Sequence, residues 1–231
     1  MKVSAVVLLS AGLDSTTNLY AARDAGWDVR LALTLDYGQR AARREVAASQ
    51  SLAARLNIPH RVLELPFFRD IGQSSLLDRT REVPVGDEVS MDDHGRSLET
   101  AKSVWVPNRN GILLNIAAGY AEALGAQVVV PGFNAEEGAT FPDNTPAFMK
   151  ALDGSFAYST SNHVRVGCFT QDLDKPAIAV WARDLGVDFS WLWPCYFDGA
   201  RPCGRCESCQ RDKRAFRAAG ADVNPLFEDP T

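Results

Sequence analysis

The sequence Leu9-Ser10-Ala11-Gly12-Leu13-Asp14-Ser15-Thr16-Thr17 connects an apolar run to the first segment with helical periodicity. Small residues allow the backbone to turn tightly, so its N–H groups can surround an anion at a helix N-terminus. Hydroxyl groups of Ser10, Ser15 and Thr16 add hydrogen-bond donors that suit polyphosphate oxygens. Neither the dinucleotide fingerprint nor the Walker A sequence is present. The pattern fits a phosphate-binding loop and fits equally well a helix that is merely capped by Ser10 or Asp14.

Short apolar runs alternate with helical segments on both sides of this loop. The predicted strands are residues 3–9, 29–35, 62–65 and 128–130, and the predicted helices are residues 16–25, 41–56 and 111–124. Continuous Val/Leu strands separated by helices imply a parallel sheet covered on both faces. We therefore predict an α/β domain over residues 1–190, with a doubly wound, Rossmann-like parallel sheet. The polar stretch near residues 67–103 lacks periodicity and is interpreted as a lid-like insertion.

Composition excludes several classes of protein. The chain has 231 residues, 46% of them hydrophobic, and a net charge of −5. An acidic chain of this kind does not suit general binding to a nucleic-acid backbone, which needs a basic surface. No apolar run approaches the roughly 20 residues that span a bilayer, and residues 2–9 lead into a polar loop instead of a cleavage site. We expect a cytoplasmic protein with no membrane partner.

Four cysteines near the C-terminus form a C-x7-C-x2-C-x2-C pattern: Cys195, Cys203, Cys206 and Cys209. This spacing predicts a closed, all-cysteine structural zinc site, one per chain, and a chance cluster of reduced thiols is the alternative. Residues 191–219 then form a zinc-binding segment with a C-terminal helix, followed by a frayed tail at 220–231. The basic residues from Arg201 to Arg217 are interpreted as a solvated helix face, so we expect no stable nucleic-acid partner. Cys168 is predicted to be a small buried core residue.

Other polar residues fall at predicted strand ends. The sequence Asp36-Tyr37-Gly38-Gln39-Arg40 follows the second strand, where open α/β sheets bind their ligands. Arg109 precedes a helix and suits bidentate binding of a phosphate or carboxylate, although its neighbours could be ordinary turn and cap residues. Glu136 and Glu137 follow the strand at 128–130 and are candidate Mg²⁺ ligands.

The loop resembles the Ser-Gly-Gly-x-Asp-Ser sequence of the ATP pyrophosphatases, with Ala11 in place of a glycine. An alanine there predicts that this position keeps a negative φ. Across nearly the whole chain, the sequence is similar to one branch of that superfamily, the 7-cyano-7-deazaguanine synthases. The most specific resemblance is Pro194-Cys195-Tyr196 followed by the cysteine pattern at 202–209, and residues 36–40, 106–110 and Lys175 also match.

The resemblance implies a ligase that converts 7-carboxy-7-deazaguanine, ammonia and ATP with Mg²⁺ into 7-cyano-7-deazaguanine, and a homodimer. The implied catalytic residues are Ser10, Asp14, Ser15, Arg109 and Lys175. The implied ATP-binding residues are Leu9, Ser10, Ala11, Gly12, Leu13, Asp14, Ser15, Thr16, Thr17, Asn18 and Leu19. The implied substrate-binding residues are Arg40, Glu137, Phe141 and Asp143.

Two departures from the family pattern concern the substrate. Residues 140–145 read Thr-Phe-Pro-Asp-Asn-Thr where the family commonly has Gly-Tyr-Pro-Asp-Cys-Arg, and Pro194 replaces a Ser or Thr. Residues 142–144 could instead be a turn before a helix at 147–151, capped by Asn144 or Thr145. Two alternative functions stay open: an adenylating amide synthetase for another carboxylate or deazapurine, and a non-catalytic zinc-ribbon module that binds nucleotide or RNA.

Overall fold

Five parallel strands form the centre of the molecule in a computed structural model that describes residues 2–71, 74–86 and 102–231. They are β1 (Ser4–Leu8), β2 (Asp28–Asp36), β3 (His60–Glu64), β4 (Val128–Val130) and β5 (Arg165–Val166). Their order across the sheet is β3-β2-β1-β4-β5. Val6 of β1 pairs with Leu31 on one side and Val129 on the other, so β1 is the central strand.

Helices cover both faces of this sheet. They are α1 (Leu13–Asp24), α2 (Ala42–Arg55), α3 (Phe68–Ile71), α4 (Arg109–Ala123), α5 (Ala135–Gly138), α6 (Pro146–Ser159), α7 (Lys175–Asp184) and α8 (Glu207–Ala218). Ala5 and Val7 of β1 pack in one hydrophobic cluster with α1, α2, α7 and α8, whereas Val6 packs in the other with α4 and α6. Successive strand residues point to opposite faces, so each face is buried under its own helices. The predicted doubly wound α/β fold is confirmed.

Several element bounds differ from the sequence prediction. The first helix begins at Leu13 instead of Thr16, and Gly12 caps it with no side-chain hydrogen bond, so neither Ser10 nor Asp14 is the cap. The helix after residue 145 extends to Ser159, with Thr145 as its cap. Neither β5 nor α7 was predicted. The two residues of β5 are too few for a periodic pattern.

The prediction for Ala11 is wrong. Its φ is +59°, in the left-handed region that costs an L-residue about 1–2 kcal/mol. The Ala11 side chain is fully buried, and its carbonyl accepts a hydrogen bond of 2.9 Å from the backbone N–H of Trp193. Packing and this bond to the C-terminal segment hold the turn despite the missing glycine.

The C-terminal segment shares the core of the sheet domain. Cys195, Cys206, Phe216 and Phe227 lie in the same hydrophobic cluster as β1 and α1. The tail is packed and not frayed, since Phe227 is 1% exposed and the Glu228 N–H donates to the Pro202 carbonyl at 2.8 Å.

The interpretation of the basic C-terminal run as a solvated helix face is also wrong in part. Asp212 and Lys213 are each 1% exposed, and the side chain of Arg211 is only 14% exposed. Lys213 points its ammonium at the carbonyls of Asp229 and Thr231, so the packed tail covers part of this helix.

Arg40 lies at the base of the insertion and not in a substrate site. Its guanidinium donates to the carbonyls of Ser75 (2.7 Å), Asp78 (3.0 Å) and Arg81. Because its guanidinium binds three backbone carbonyls, the Arg40 side chain holds the segment at 74–81 in place. This contact corrects the prediction that Arg40 binds the substrate.

The lid prediction falls largely on residues 72–73 and 87–101, outside the described part. Among the residues that the structure describes, none of the helices combines the length and apolar character needed to cross a membrane.

Candidate active site

The candidate site lies at the carboxyl end of β1 and β4, where the strand order reverses and open α/β sheets bind their ligands. The loop after β1 leads into α1, and the loop after β4 contains Gly132. A Cβ atom on Gly132 would lie 2.7 Å from the Ser15 backbone nitrogen. Only a glycine permits this approach, so the loop after β1 and the loop after β4 are in close contact beneath one cavity.

Two hydroxyl groups lie at the start of α1. The Oγ atoms of Ser10 and Ser15 are 3.2 Å apart, and Ser15 Oγ also accepts from the Ser10 N–H at 3.3 Å. The first N–H groups of a helix have no acceptor within the helix, and here no side chain caps them. Backbone N–H groups and two hydroxyls therefore converge on the cavity, an arrangement suited to phosphate oxygens.

The second half of the predicted nucleotide-binding stretch faces the core. Thr16, Thr17, Asn18 and Leu19 are fully buried and do not line the cavity, and neither does Ala11. Asn18 joins α1 to the chain after β5, accepting from the Phe169 N–H at 2.7 Å and donating to Thr170 Oγ1 at 2.6 Å. These residues fix the helix, whereas Leu9, Ser10 and Gly12 to Ser15 face the ligand space.

A buried charged cluster lies beside this loop. Lys175 Nζ is 2.6 Å from Asp14 Oδ2, 3.2 Å from Asp212 Oδ1 and 3.9 Å from Glu137 Oε1. Burial lowers the pKa of Lys175, but these carboxylates outweigh it and hold the pKa well above the usual range. Lys175 is therefore a permanent cation at the edge of the loop.

Asp14 combines burial with an unused oxygen. Asn134 Nδ2 donates to its Oδ2 at 3.3 Å, whereas its Oδ1 is buried without a hydrogen-bond partner among the described residues. Burial raises the pKa of Asp14 to about 7, against the opposing attraction of Lys175. A buried carboxylate oxygen without a donor suits a hard cation such as Mg²⁺, and Glu137 lies within the same cluster.

The cavity encloses about 290 Å³ and extends from the loop to an aromatic end. The rings of Trp105 and Phe141 both line that end, nearly parallel at 8° with their centroids 6.1 Å apart. Arg109 donates to the Tyr37 hydroxyl at 3.3 Å. Burial raises the pKa of the nearby Asp143 carboxyl, and the positive charge of Arg109 opposes that rise. The structure thus brings Arg109, Phe141 and Asp143 to the same cavity.

Glu45 is a further carboxyl group on the cavity wall. Its Oε2 accepts from Gln39 Nε2 at 2.8 Å, and burial raises its pKa to about 7. The sequence analysis did not select Glu45, Trp105, Asn134 or Asp212. Trp105 directly precedes the selected motif at 106–110, so proximity in the chain was an available signal for this residue. Asp212 carried no such signal, because only the packing of α8 brings it to the loop.

The four C-terminal cysteines form one compact cluster. All four Sγ atoms lie within 4.8 Å of one another, and those of Cys203 and Cys209 are 3.9 Å apart. Tetrahedral thiolates about 2.3 Å from a metal would be roughly 3.8 Å apart, so the cluster fits one ion. Backbone N–H groups of Arg205 and Cys206 donate to Cys203 Sγ at 3.4 Å, which stabilises thiolate charge. Cys168 is outside this cluster and donates to the Phe133 carbonyl.

Comparison with known proteins gives a consistent result. The model of the family described as queuosine biosynthesis protein QueC matches residues 4–220. The chain belongs to this family. A 7-cyano-7-deazaguanine synthase of Bdellovibrio bacteriovorus is 58% identical over 97% of both chains. One of Desulforudis audaxviator is 50% identical over 93% of this chain and 97% of that protein.

Among solved structures, an NMN synthetase from Francisella tularensis covers 98% of this chain and 90% of its own, with 13% identity and a TM-score of 0.46. The matched residues 4–220 include the loop, the parallel sheet and the four-cysteine cluster of this chain.

Proposed function

We propose that this chain is a 7-cyano-7-deazaguanine synthase, a carbon–nitrogen ligase that uses ATP and ammonia to convert a 7-deazaguanine carboxylic acid into its nitrile. The observation that carries the proposal is a single cavity with phosphate donors and Lys175 at one end, and Arg109, Asp143 and two aromatic rings at the other. Family membership and the names of the most similar relatives support it.

The phosphate end of the cavity suits the activation step. A carboxylate is a poor electrophile towards ammonia, so its oxygen first attacks the α-phosphorus of ATP, forming an acyl-adenylate and releasing pyrophosphate. Ser10, Ser15 and the first N–H groups of α1 would bind the departing pyrophosphate, and Lys175 would balance its charge. Asp14 and Glu137 would hold Mg²⁺, which supplies further positive charge at the phosphates.

Ammonia then attacks the acyl carbon and displaces AMP, giving an amide. A second adenylation at the amide oxygen releases another pyrophosphate, and loss of AMP with protons from nitrogen leaves the nitrile. At the other end of the cavity, Phe141 and Trp105 offer faces for the deazapurine ring, and Asp143 offers an acceptor for guanine-type N–H groups.

We further propose that the four-cysteine cluster holds one structural zinc ion, since four thiolates leave no open position for a catalytic water. We also propose a homodimer, which the family resemblance supports, and a cytoplasmic protein with no stable nucleic-acid partner, the latter supported by the net charge of −5. Light scattering of the zinc-loaded protein tests the dimer, and filter binding with tRNA tests the last point.

The deciding experiment measures pyrophosphate release from ATP by the zinc-loaded protein with 7-carboxy-7-deazaguanine and ammonium. Release that requires this acid, with the nitrile identified by mass spectrometry, is the expected result. Release with a different carboxylate, or an amide as the final product, would favour a related amide synthetase. A folded, zinc-loaded protein that binds nucleotide but turns over no acid would favour a binding module.

A further inference from the structure

Asp212 is a charged residue on the buried face of its helix. It lies between Cys209 and Phe216, at the spacing of residues that share one face of α8, and all three are at most 1% exposed. A carboxylate taken out of water costs free energy unless a partner compensates for it. Its Oδ1 atom accepts no hydrogen bond among the described residues, and its compensating charge is Lys175 Nζ at 3.2 Å. The geometry of Asp212 is thus directed at Lys175.

Lys175 consequently lies between two carboxylates that belong to different parts of the fold. Asp14 reaches it from the first turn of α1, and Asp212 reaches it from α8. Glu137, the third carboxylate, is farther away and its side chain is 33% exposed. If Asp14 turns towards a cation bound with ATP, the buried ammonium group loses its nearest anion. Asp212 then remains to hold Lys175 in place.

The helix that carries Asp212 begins at the cysteine cluster. Cys206 is the residue before its first turn, and Glu207, Ser208, Arg211 and Asp212 all line the cavity. A helix that starts at the cysteine cluster therefore sets the position of the Asp212 carboxylate relative to the phosphate loop.

We propose that Asp212 is a positioning residue that holds Lys175 for ATP activation, and that the cysteine cluster acts on the reaction through this residue. This inference rests on the proposed function, because Lys175 serves ATP only if the cavity binds it. Asp212 itself touches no reacting atom and acts by fixing the ammonium group between the loop and α8.

The test compares wild-type protein with Asp212→Asn, which keeps the shape and removes the charge. Asp184→Asn is the matched control, since Asp184 is an exposed aspartate on α7 paired with Arg183. We expect Asp212→Asn to lower kcat/KM for ATP by roughly 10- to 100-fold with zinc content retained, as truncation of buried charge pairs does. The control should keep wild-type kinetics. Turnover of Asp212→Asn within about twofold of wild type would overturn the proposal.

Two measurements separate positioning from a structural role. In the Lys175→Gln background, Asp212→Asn should cause no further loss of turnover and should raise Tm, because it removes a buried charge left without its cation. Losses that multiply in the double variant would overturn the proposal.

The second measurement is independent of turnover and also serves if Lys175→Gln does not fold. The rate at which acetic anhydride acetylates Lys175, relative to exposed Lys150, is read by mass spectrometry. This rate should rise in folded Asp212→Asn, since the ammonium group then loses its charged contact with α8 and is held less firmly. An unchanged rate refutes the inference about Asp212. Absence of acid-dependent pyrophosphate release in wild type refutes the proposed function instead.

Discussion

Replacing Gly132 by alanine tests how the two loops of the site are assembled. The new Cβ atom would lie 2.7 Å from the Ser15 backbone nitrogen and 2.8 Å from its Cα. Those atoms must separate by about 0.7 Å before they reach ordinary contact at 3.4 Å. Because the obstacle is backbone and not the end of a flexible side chain, the start of α1 or the loop after β4 has to move.

The expected cost falls on activity more than on folding. Overpacking of this size typically costs about 1–3 kcal/mol, which a domain of this size tolerates. A displacement approaching 1 Å at the phosphate loop can cost up to about 100-fold in rate, because the donors no longer face the transition state. We expect Gly132→Ala to lower acid-dependent pyrophosphate release by roughly 10- to 100-fold while zinc content is retained.

Gly154→Ala is the matched control. Gly154 lies within α6 (Pro146–Ser159), and a Cβ there meets no atom within 4 Å. Alanine in an open helical position should raise the free energy of unfolding by about 0.5–1 kcal/mol and leave turnover unchanged. Chemical denaturation and pyrophosphate release are measured on both variants. If Gly132→Ala turns over like Gly154→Ala, the close approach does not position the loop and the account of the site is incorrect.

Three further predictions concern other groups. Cys206→Ser should lose its zinc, measured by elemental analysis, and unfold at a lower temperature, and a stable, fully active variant without zinc would contradict a structural site. Asp143→Asn should lower kcat/KM for the acid by about 100-fold with ATP affinity unchanged, as measured by steady-state kinetics and calorimetry, since it leaves donors of the base unpaired. Burial raises the pKa of Glu45 to about 7 from 4.5, so the folded state loses stability as pH rises through that range. Glu45→Gln should flatten this decline between about pH 4.5 and 7 in denaturation curves, and an unchanged curve would show that Glu45 is not the group responsible.

The features that could be predicted from the sequence are those formed by residues close together in the chain. The strand at Val128–Val130 and the apolar face of α2 follow from runs and periods of apolar residues. The cysteine cluster followed from spacing, because ligands close in sequence need only a tight turn to converge. The phosphate loop followed from small residues placed between a strand and a helix.

Features that depend on distant packing were missed or misjudged. A negative φ was expected at Ala11 because the preference of an L-residue is local, whereas burial and a hydrogen bond from Trp193 impose φ +59°. Arg40 was assigned to substrate because its motif follows a strand, but carbonyls some 35–41 residues later bind its guanidinium. The alternation of charges around Asp212 suggested a solvated face, since sequence does not reveal that the tail and α7 cover it.

In the proposed function, one end of the cavity would recognise the acid and the other would activate it, and different parts of the chain form the two ends. Arg109 and Asp143, with the aromatic rings, come from the segments around α4, on the face opposite α1. Asp14 lies on α1 and Lys175 on α7, on the other face of the sheet. On that face, Asp212 of α8, the helix that starts at the cysteine cluster, contacts Lys175. Since the sheet separates the two sets of helices, we expect substitutions at the proposed recognition end to change the acid accepted without disturbing phosphate binding. Of the residues that depart from the family pattern at 140–145, Thr140, Phe141 and Asn144 line this cavity, whereas Thr145 caps α6, so we expect variation there to leave the proposed adenylation step unchanged.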